Sequence, residues 1–200
     1  MTPRLELVLP ENPDAMSFGD SVTEFRFPLE QTVDVYYRKF KEPLPDLESP
    51  SKQLVAIELL DEHHFDEYDA VFRRRKLQLR NNAPYLIKRQ FANSEFIEYI
   101  EDSLLDKRSR MFYVYTRNET FQSVGVIEDF SVYRVAPENA GWTQLTQAAR
   151  LHLTSSSIGF LRSKIESLVA STYAKEVPLT RAYHEQRLHE EFGDPAGVEE

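Results

Sequence analysis

Hydrophobic and polar residues alternate most regularly between residues 96 and 152, and this pattern predicts four consecutive antiparallel strands. In the second strand Phe112 and Val114 face one way while Tyr113 faces the other, and in the fourth Leu151 lies on the opposite side from Arg150. Charged or Asn/Gly-containing turns separate the strands, which are expected at residues 96–104, 111–118, 124–135 and 142–152. A sheet with one apolar face must be covered, and the helix that follows is best placed to cover it.

Shorter segments before this run predict the rest of the sheet and a first helix. Alternation predicts a strand at residues 21–27, and an apolar stripe after a proline predicts a helix at residues 29–40. Two more strands are expected at residues 54–60 and 70–79, and the acidic segment 61–67 between them is expected to be a loop. Strands and helices in this order give an α+β fold.

The last part of the chain predicts a long helix. Apolar residues recur at helical spacing from Ile158 to about Val177, after a run of Thr154 and three serines (155–157) whose hydroxyls can cap a helix. Pro178 is expected to end or kink this helix, and residues 179–192 are expected to form another short one. The chain is thus divided into an N-terminal arm (residues 1–16), one domain (17–177) and an acidic C-terminal tail (178–200).

Composition and charge exclude several functions. The chain has 24 Lys and Arg against 33 Asp and Glu, a formal net charge of −9, which disfavours binding to nucleic acid because phosphate contacts need a basic face. Cysteine is absent, so neither a disulfide nor a thiolate metal site is expected. No apolar run approaches the roughly 20 residues of a membrane-spanning helix. His63 and His64 are adjacent and should point apart, so we predict no metal site.

Catalytic motifs are also missing. The sequence contains no G-x-S-x-G motif, and its six glycines form no loop that could hold a phosphate. We therefore predict no catalytic residue and no cofactor.

Several short motifs, taken together, resemble the PRELI family. The segment EYIEDSLLD at residues 98–106 is similar to the signature strand of that family. Further matching segments occur in the same order and at similar spacing over about residues 17–177: YRKFKEP at 37–43, the stretch 74–91 around Pro84, YTRN at 115–118, VIED at 126–129, GWT at 141–143 and SSS at 155–157.

The resemblance implies a curved antiparallel sheet of about six to seven strands, with helices on its concave face that enclose a lipid cavity. It also implies non-enzymatic transfer of an acidic phospholipid, phosphatidic acid or phosphatidylserine, between membranes in the mitochondrial intermembrane space. Members of the family touch membrane surfaces transiently. They are usually stabilised by a small helical partner protein with twin-cysteine motifs, which we expect here as well.

The residues suggest where the head group and the membrane would be contacted. Basic side chains suit a phosphate, and we select Arg38 and Lys39 in the first helix with Arg162 and Lys164 in the last. The run Arg73–Lys76 alternates along a strand, so at most half of its side chains can face a cavity. Apolar residues between cations suit a membrane-contacting lid, and we assign this role to four residues: Pro84, Tyr85, Leu86 and Ile87.

Two other functions remain open at this point. The same fold with a filled or unused pocket would be an interaction module that acts through its long helix and acidic tail. A cavity-bearing enzyme is the other alternative, with Tyr99 or Glu128 as acid or base, although the sequence has no paired acid–base signature.

Overall fold

A computed structural model describes residues 15–38, 54–81, 94–154, 159 and 161–194. Within these ranges the chain forms, in order, β1 (Met16–Phe25), α1 (Leu29–Arg38), β2 (Leu54–Phe65), β3 (Ala70–Arg80), β4 (Phe96–Asp106), β5 (Met111–Asn118), β6 (Gly125–Val135), β7 (Thr143–Leu153) and α2 (Arg162–Phe192). The strands make one curved antiparallel sheet in the order β1-β7-β6-β5-β4-β3-β2. The predicted α+β fold is confirmed.

The four strands of the central prediction, β4 to β7, form nearly as expected. Their bounds differ from the prediction by no more than two residues at either end. Leu145, Ala149 and Leu151 are buried together on one face of β7, as the alternation predicts. This face carries both helices and is called the inner face below; the opposite face is the outer face.

Strand β2 is longer than predicted, because it continues to Phe65 through residues that were expected to form a loop. The prediction of a loop is wrong for residues 61–65. The acidic side chains of this segment lie opposite basic ones of β3, with Asp61 paired to Arg74 and Glu62 to Arg73. Opposite charges across neighbouring strands stabilise the pairing.

The first strand and the last helix also differ from the prediction. β1 begins at Met16 rather than at residue 21, and its register shifts between Phe18 and Ser21. The long helix does not end at Pro178: α2 runs through it to Phe192, so residues 179–192 are not a separate helix. Its second half is held in the core by three buried side chains, those of Tyr183, His184 and Leu188.

Two further predictions concern the start of the long helix and the N-terminal arm. The long helix begins at Arg162, and its N-cap residue Leu161 makes no side-chain capping hydrogen bond, so the prediction that the hydroxyls of residues 154–157 cap it is wrong. Residues 155–157 themselves lie outside the described residues, and so do residues 1–14 of the predicted arm. The division into arm, domain and tail stays a prediction.

Two apolar clusters lie on the inner face. The larger one packs α1 and the second half of α2 against the sheet, and it contains Phe25, Phe27, Leu29, Val33, Val35, Tyr36, Phe112, Val114, Tyr133, Leu145 and Leu188. The smaller one packs the first half of α2 against β7, and its buried members are Leu151, Leu153 and Ile165. We call them the large cluster and the small cluster.

Candidate functional site

Polar residues cross the inner face between the two apolar clusters. The strand registers place them in two adjacent rows that run from β3 to β7. One row contains Arg75, Glu101, Thr116 and Asp129, and the other contains Arg73, Ser103, Ser131 and Gln147, with Val114 between the serines. We call these eight polar residues the polar belt. Buried polar groups need partners, and the two helices supply several of them.

At one end of the polar belt, Arg75 and Glu101 form a buried ion pair. The Nε and Nη2 atoms of Arg75 lie 2.8 and 2.5 Å from Glu101 Oε1, and Tyr36 in α1 donates its hydroxyl to Glu101 Oε2 at 2.7 Å. Burial, reinforced by the Glu101 carboxylate, raises the pKa of Tyr36 well above its usual value. The Arg75 guanidinium also lies over the rings of Tyr36 and Tyr37. The Arg75 guanidinium is therefore held by one carboxylate and two aromatic rings.

At the other end, Asp129 is a half-buried carboxylate that accepts three hydrogen bonds. Tyr173 of α2 donates to it at 2.6 Å, Gln147 at 3.0 Å and Ser131 at 3.2 Å. Burial raises the pKa of Asp129 above its usual value, although these three donors and the positive charge of Arg181 act in the opposite direction. The polar belt thus links the first half of α2 to the sheet.

A cleft of about 730 Å³ opens between α1 and the strands β2 and β3. One wall is apolar and comes from β2, through Leu54, Val55, Ala56, Ile57 and Leu59. The remaining lining is polar, with three arginines (Arg38, Arg73, Arg75), two carboxylates (Asp34, Glu62) and Tyr37. The cleft therefore combines a greasy wall with cationic groups.

The structure places the predicted head-group residues apart from one another. Arg38 lines the cleft, where its guanidinium contacts Asp34 and Glu191 at 2.5 Å each. Arg162 and Lys164 are at the start of α2, where Arg162 is bonded to Glu166 at 2.9 Å and Lys164 is exposed.

Lys39 lies outside the described residues, and so does the predicted lid of Pro84, Tyr85, Leu86 and Ile87. The assignment of these residues stays a prediction.

Two cationic residues of the cleft were not selected from the sequence. Arg73 and Arg75 face the inner side, whereas Arg74 and Lys76 face the outer side, where they pair with Asp102 and Glu58. This confirms that only half of the basic run on β3 can face a cavity. The alternating direction of side chains along a strand was the available signal, but the strand register was needed to choose the half.

The two residues named for a possible enzyme lie on different faces of the sheet. Tyr99 is on the inner face beside Leu77, and burial raises its pKa to about 12. Glu128 is on the outer face, where it accepts a hydrogen bond from Tyr115 at 2.5 Å and one from Arg150 at 3.2 Å. Glu128 therefore cannot act on a ligand held at the inner face.

The two adjacent histidines contact different carboxylates. His63 lies 2.9 Å from Asp61, and His64 lies 3.0 Å from Glu62. Among the residues that the structure describes, no group of three or more His, Asp or Glu side chains could hold a metal ion. In the same part of the chain, neither helix has the length and apolar character needed to cross a membrane.

Comparison with known proteins gives consistent matches. The model of the PRELI-like family matches residues 30–193. Protein real-time of Aedes aegypti is 28% identical over 137 residues, which are 68% of this chain and 20% of that protein. The mitochondrial PRELI domain-containing protein 1 of Gallus gallus is 36% identical over 92 residues, which are 45% of this chain and 42% of that protein. This chain thus spans less than half the length of either relative.

Solved structures share the fold at low sequence identity. The Zhui aromatase/cyclase from Streptomyces matches with a TM-score of 0.60 and 11% identity, over 92% of this chain and 99% of that one. A protein from Thermus thermophilus matches with a TM-score of 0.54 and 12% identity, over 88% of this chain and 99% of that one. At such identities the likeness concerns the fold alone.

Proposed function

This chain belongs to the PRELI-like family, and we propose that it carries an acidic phospholipid, phosphatidic acid or phosphatidylserine, between membranes without covalent chemistry. The observation that carries the proposal is the cleft between α1 and the strands β2 and β3. Its volume of about 730 Å³ lies within the range of small-molecule sites, roughly 300–1,000 Å³.

The chemistry of the cleft suits a lipid with a phosphate. The apolar β2 wall can keep part of an acyl chain out of water, which stabilises binding by about 25 cal/mol for each Å² of apolar surface buried. Arginine side chains match the geometry of phosphate oxygens and stay charged at any physiological pH. Neither contact requires a bond to be made or broken in the lipid, so transport rather than catalysis is proposed.

The setting of this transfer is part of the same proposal. The mitochondrial name of the Gallus gallus relative supports a mitochondrial location, and we place the protein in the intermembrane space. A small helical partner with twin-cysteine motifs would stabilise it there. Residues 84–87 would contact the membrane as a lid, and Lys39 would meet the head group together with Arg38. Arg162 and Lys164 lie at the opposite end of α2 from the contact between Arg38 and Glu191, so we do not assign them to this head group.

Lipid extraction from the purified protein followed by mass spectrometry tests the proposal. We expect phosphatidic acid or phosphatidylserine to be enriched over phosphatidylcholine, and we expect the protein to transfer the acidic lipid between two populations of vesicles. Ile57→Trp, which fills the cleft from its β2 wall, should slow transfer several-fold. Val22→Trp is the matched control, because Val22 is 64% exposed on the other edge strand.

A clear negative result would change the assignment. If no acidic phospholipid is extracted and vesicle transfer equals the protein-free rate, the carrier function is wrong. The protein would then be the interaction module of the same fold.

A further inference from the structure

Arg73 differs from the two other arginines of the cleft in how its guanidinium is held. Among the described residues, its side chain makes one ion pair, with Glu62 on β2, in which Nε and Oε2 are 2.5 Å apart. Arg75 instead makes two hydrogen bonds to Glu101 and is buried, and Arg38 binds both Asp34 and Glu191. Of the three described arginines that line the cleft, Arg73 thus makes the fewest polar contacts.

The guanidinium of Arg73 is held in place by an aromatic ring, while only one carboxylate contacts its positive charge. The guanidinium carbon lies 4.3 Å from the centre of the Tyr37 ring, so the aromatic face orients the planar group. The contact with Glu62 uses Nε, so a phosphate that binds the two neighbouring N–H groups on the Nε side must displace the carboxylate. Such a guanidinium can bind two oxygens of a phosphate side by side.

Glu62 can leave Arg73 without losing all of its polar contacts. Its other carboxylate oxygen, Oε1, lies 3.0 Å from His64 Nε2 on the same strand. The side chain of Glu62 is about one-third exposed, which lets water replace the guanidinium. The guanidinium of Arg73 is the first cause of the lowered pKa of Glu62, which keeps the carboxylate charged and competitive with a phosphate.

From this geometry we infer that Arg73 binds the phosphate of the carried lipid and that Glu62 occupies the guanidinium of Arg73 while the cleft is empty. Loading then exchanges a carboxylate for a phosphate on the same arginine. The inference rests on the proposed carrier function and adds to it a binding residue and a built-in competitor. A tethered competitor sets a threshold, since the lipid phosphate must bind better than a carboxylate that is always nearby.

The next strand position supplies a matched control. Arg74 and Asp102 form a two-bond ion pair of the same chemistry, with distances of 2.6 and 2.7 Å, but they lie on the outer face. Substitutions there change charge as those of Arg73 and Glu62 do, without touching the cleft. The test uses the full chain and its four variants Arg73→Gln, Glu62→Gln, Arg74→Gln and Asp102→Asn, each checked for thermal unfolding.

The main measurement is loading, which means the uptake of phosphatidic acid by the protein from phosphatidylcholine vesicles that contain it. We expect Arg73→Gln to weaken loading about tenfold or more, since a hydrogen bond to a charged group is lost. Glu62→Gln should strengthen loading about two- to fivefold, the size of a partly exposed ion pair. Arg74→Gln and Asp102→Asn should load like the wild type.

A second arm separates a lipid phosphate from a free one. Inorganic phosphate is titrated against the lipid-free protein and followed by NMR shifts of the residues around Arg73. Binding of inorganic phosphate that depends on Arg73, without any effect of Arg73 on vesicle loading, would overturn the lipid assignment.

Two further outcomes separate the role of Arg73 and Glu62 from the carrier function itself. If the wild type loads phosphatidic acid and all four variants do so equally well, the role of Arg73 and Glu62 is wrong while the carrier function stands. If the wild type loads no acidic lipid at all, the carrier function fails and this inference fails with it.

Discussion

At the scale of single residues, Asp129 connects burial to charge. Its carboxylate lies beneath α2 and accepts hydrogen bonds from Tyr173, Gln147 and Ser131. Burial is the largest influence on its pKa and raises it, because the charged form loses its water. The folded protein therefore holds a proton at this site more tightly than the unfolded chain does.

Asp129→Asn should change how stability depends on pH. Because the pKa of Asp129 is raised in the folded state, its contribution to the free energy of unfolding is greatest below the unfolded value of about 3.9. This contribution is lost as the pH rises through the folded pKa. Asparagine keeps the shape and removes the charge, so the wild type should lose stability relative to the variant across that window. Urea unfolding at a series of pH values measures this difference, and parallel curves would contradict the prediction.

At the scale of elements, the irregular segment of β1 around Gly19 packs against the first half of α2. Gly19 has a φ of +75°, and a Cβ added to it would lie 2.2 Å from the Tyr173 ring. The same ring meets Phe18 edge-on with centroids 5.1 Å apart. The irregular register between Phe18 and Ser21 thus brings the strand close to the helix, where only a glycine fits.

Gly19→Ala should destabilise the protein in two ways, through backbone strain and through collision with Tyr173. A positive φ costs a residue with a Cβ on the order of 1–3 kcal/mol. Gly193→Ala is the comparison for strain without collision, because Gly193 has a φ of +74° with a ψ of −170° and nothing within 4 Å of an added Cβ. We expect Gly19→Ala to lower the free energy of unfolding clearly more than Gly193→Ala does. Urea titrations measure both, and equal losses would show that Tyr173 does not press on Gly19.

The elements also show how far sequence reasoning reaches. β4 to β7 could be predicted because alternation and turns are local signals. The end of β2 could not, since residues 61–65 extend the strand by pairing with β3, where Asp61 and Glu62 lie opposite Arg74 and Arg73, and a local pattern does not show this pairing. The choice of Arg73 and Arg75 over Arg74 and Lys76 likewise needs the register, because one face cannot be told from the other in a run of four cations.

At the scale of the whole molecule, the polar belt divides the interior into two apolar clusters, and α2 crosses both. Its second half packs into the large cluster through Leu188, which is fully buried. Its first half covers the small cluster, where Ile165 is the buried contact of the helix. Pro178 lies between the two halves and supplies no N–H for the helix. The two halves are thus held to the sheet by separate contacts.

We expect the two halves of α2 to open independently, and hydrogen exchange measures this. Amides of residues 183–188 should exchange only on global unfolding, whereas those of residues 165–173 should exchange by local opening with a smaller free energy. Pro178→Ala restores the missing hydrogen bond and should raise the opening free energy of the first half, by up to about 3 kcal/mol. Leu179→Ala, at an exposed neighbouring position that leaves Pro178 in place, is the control. Equal protection of both halves in the wild type would mean that the helix opens as one unit. The first half would then not detach from the small cluster without the second half.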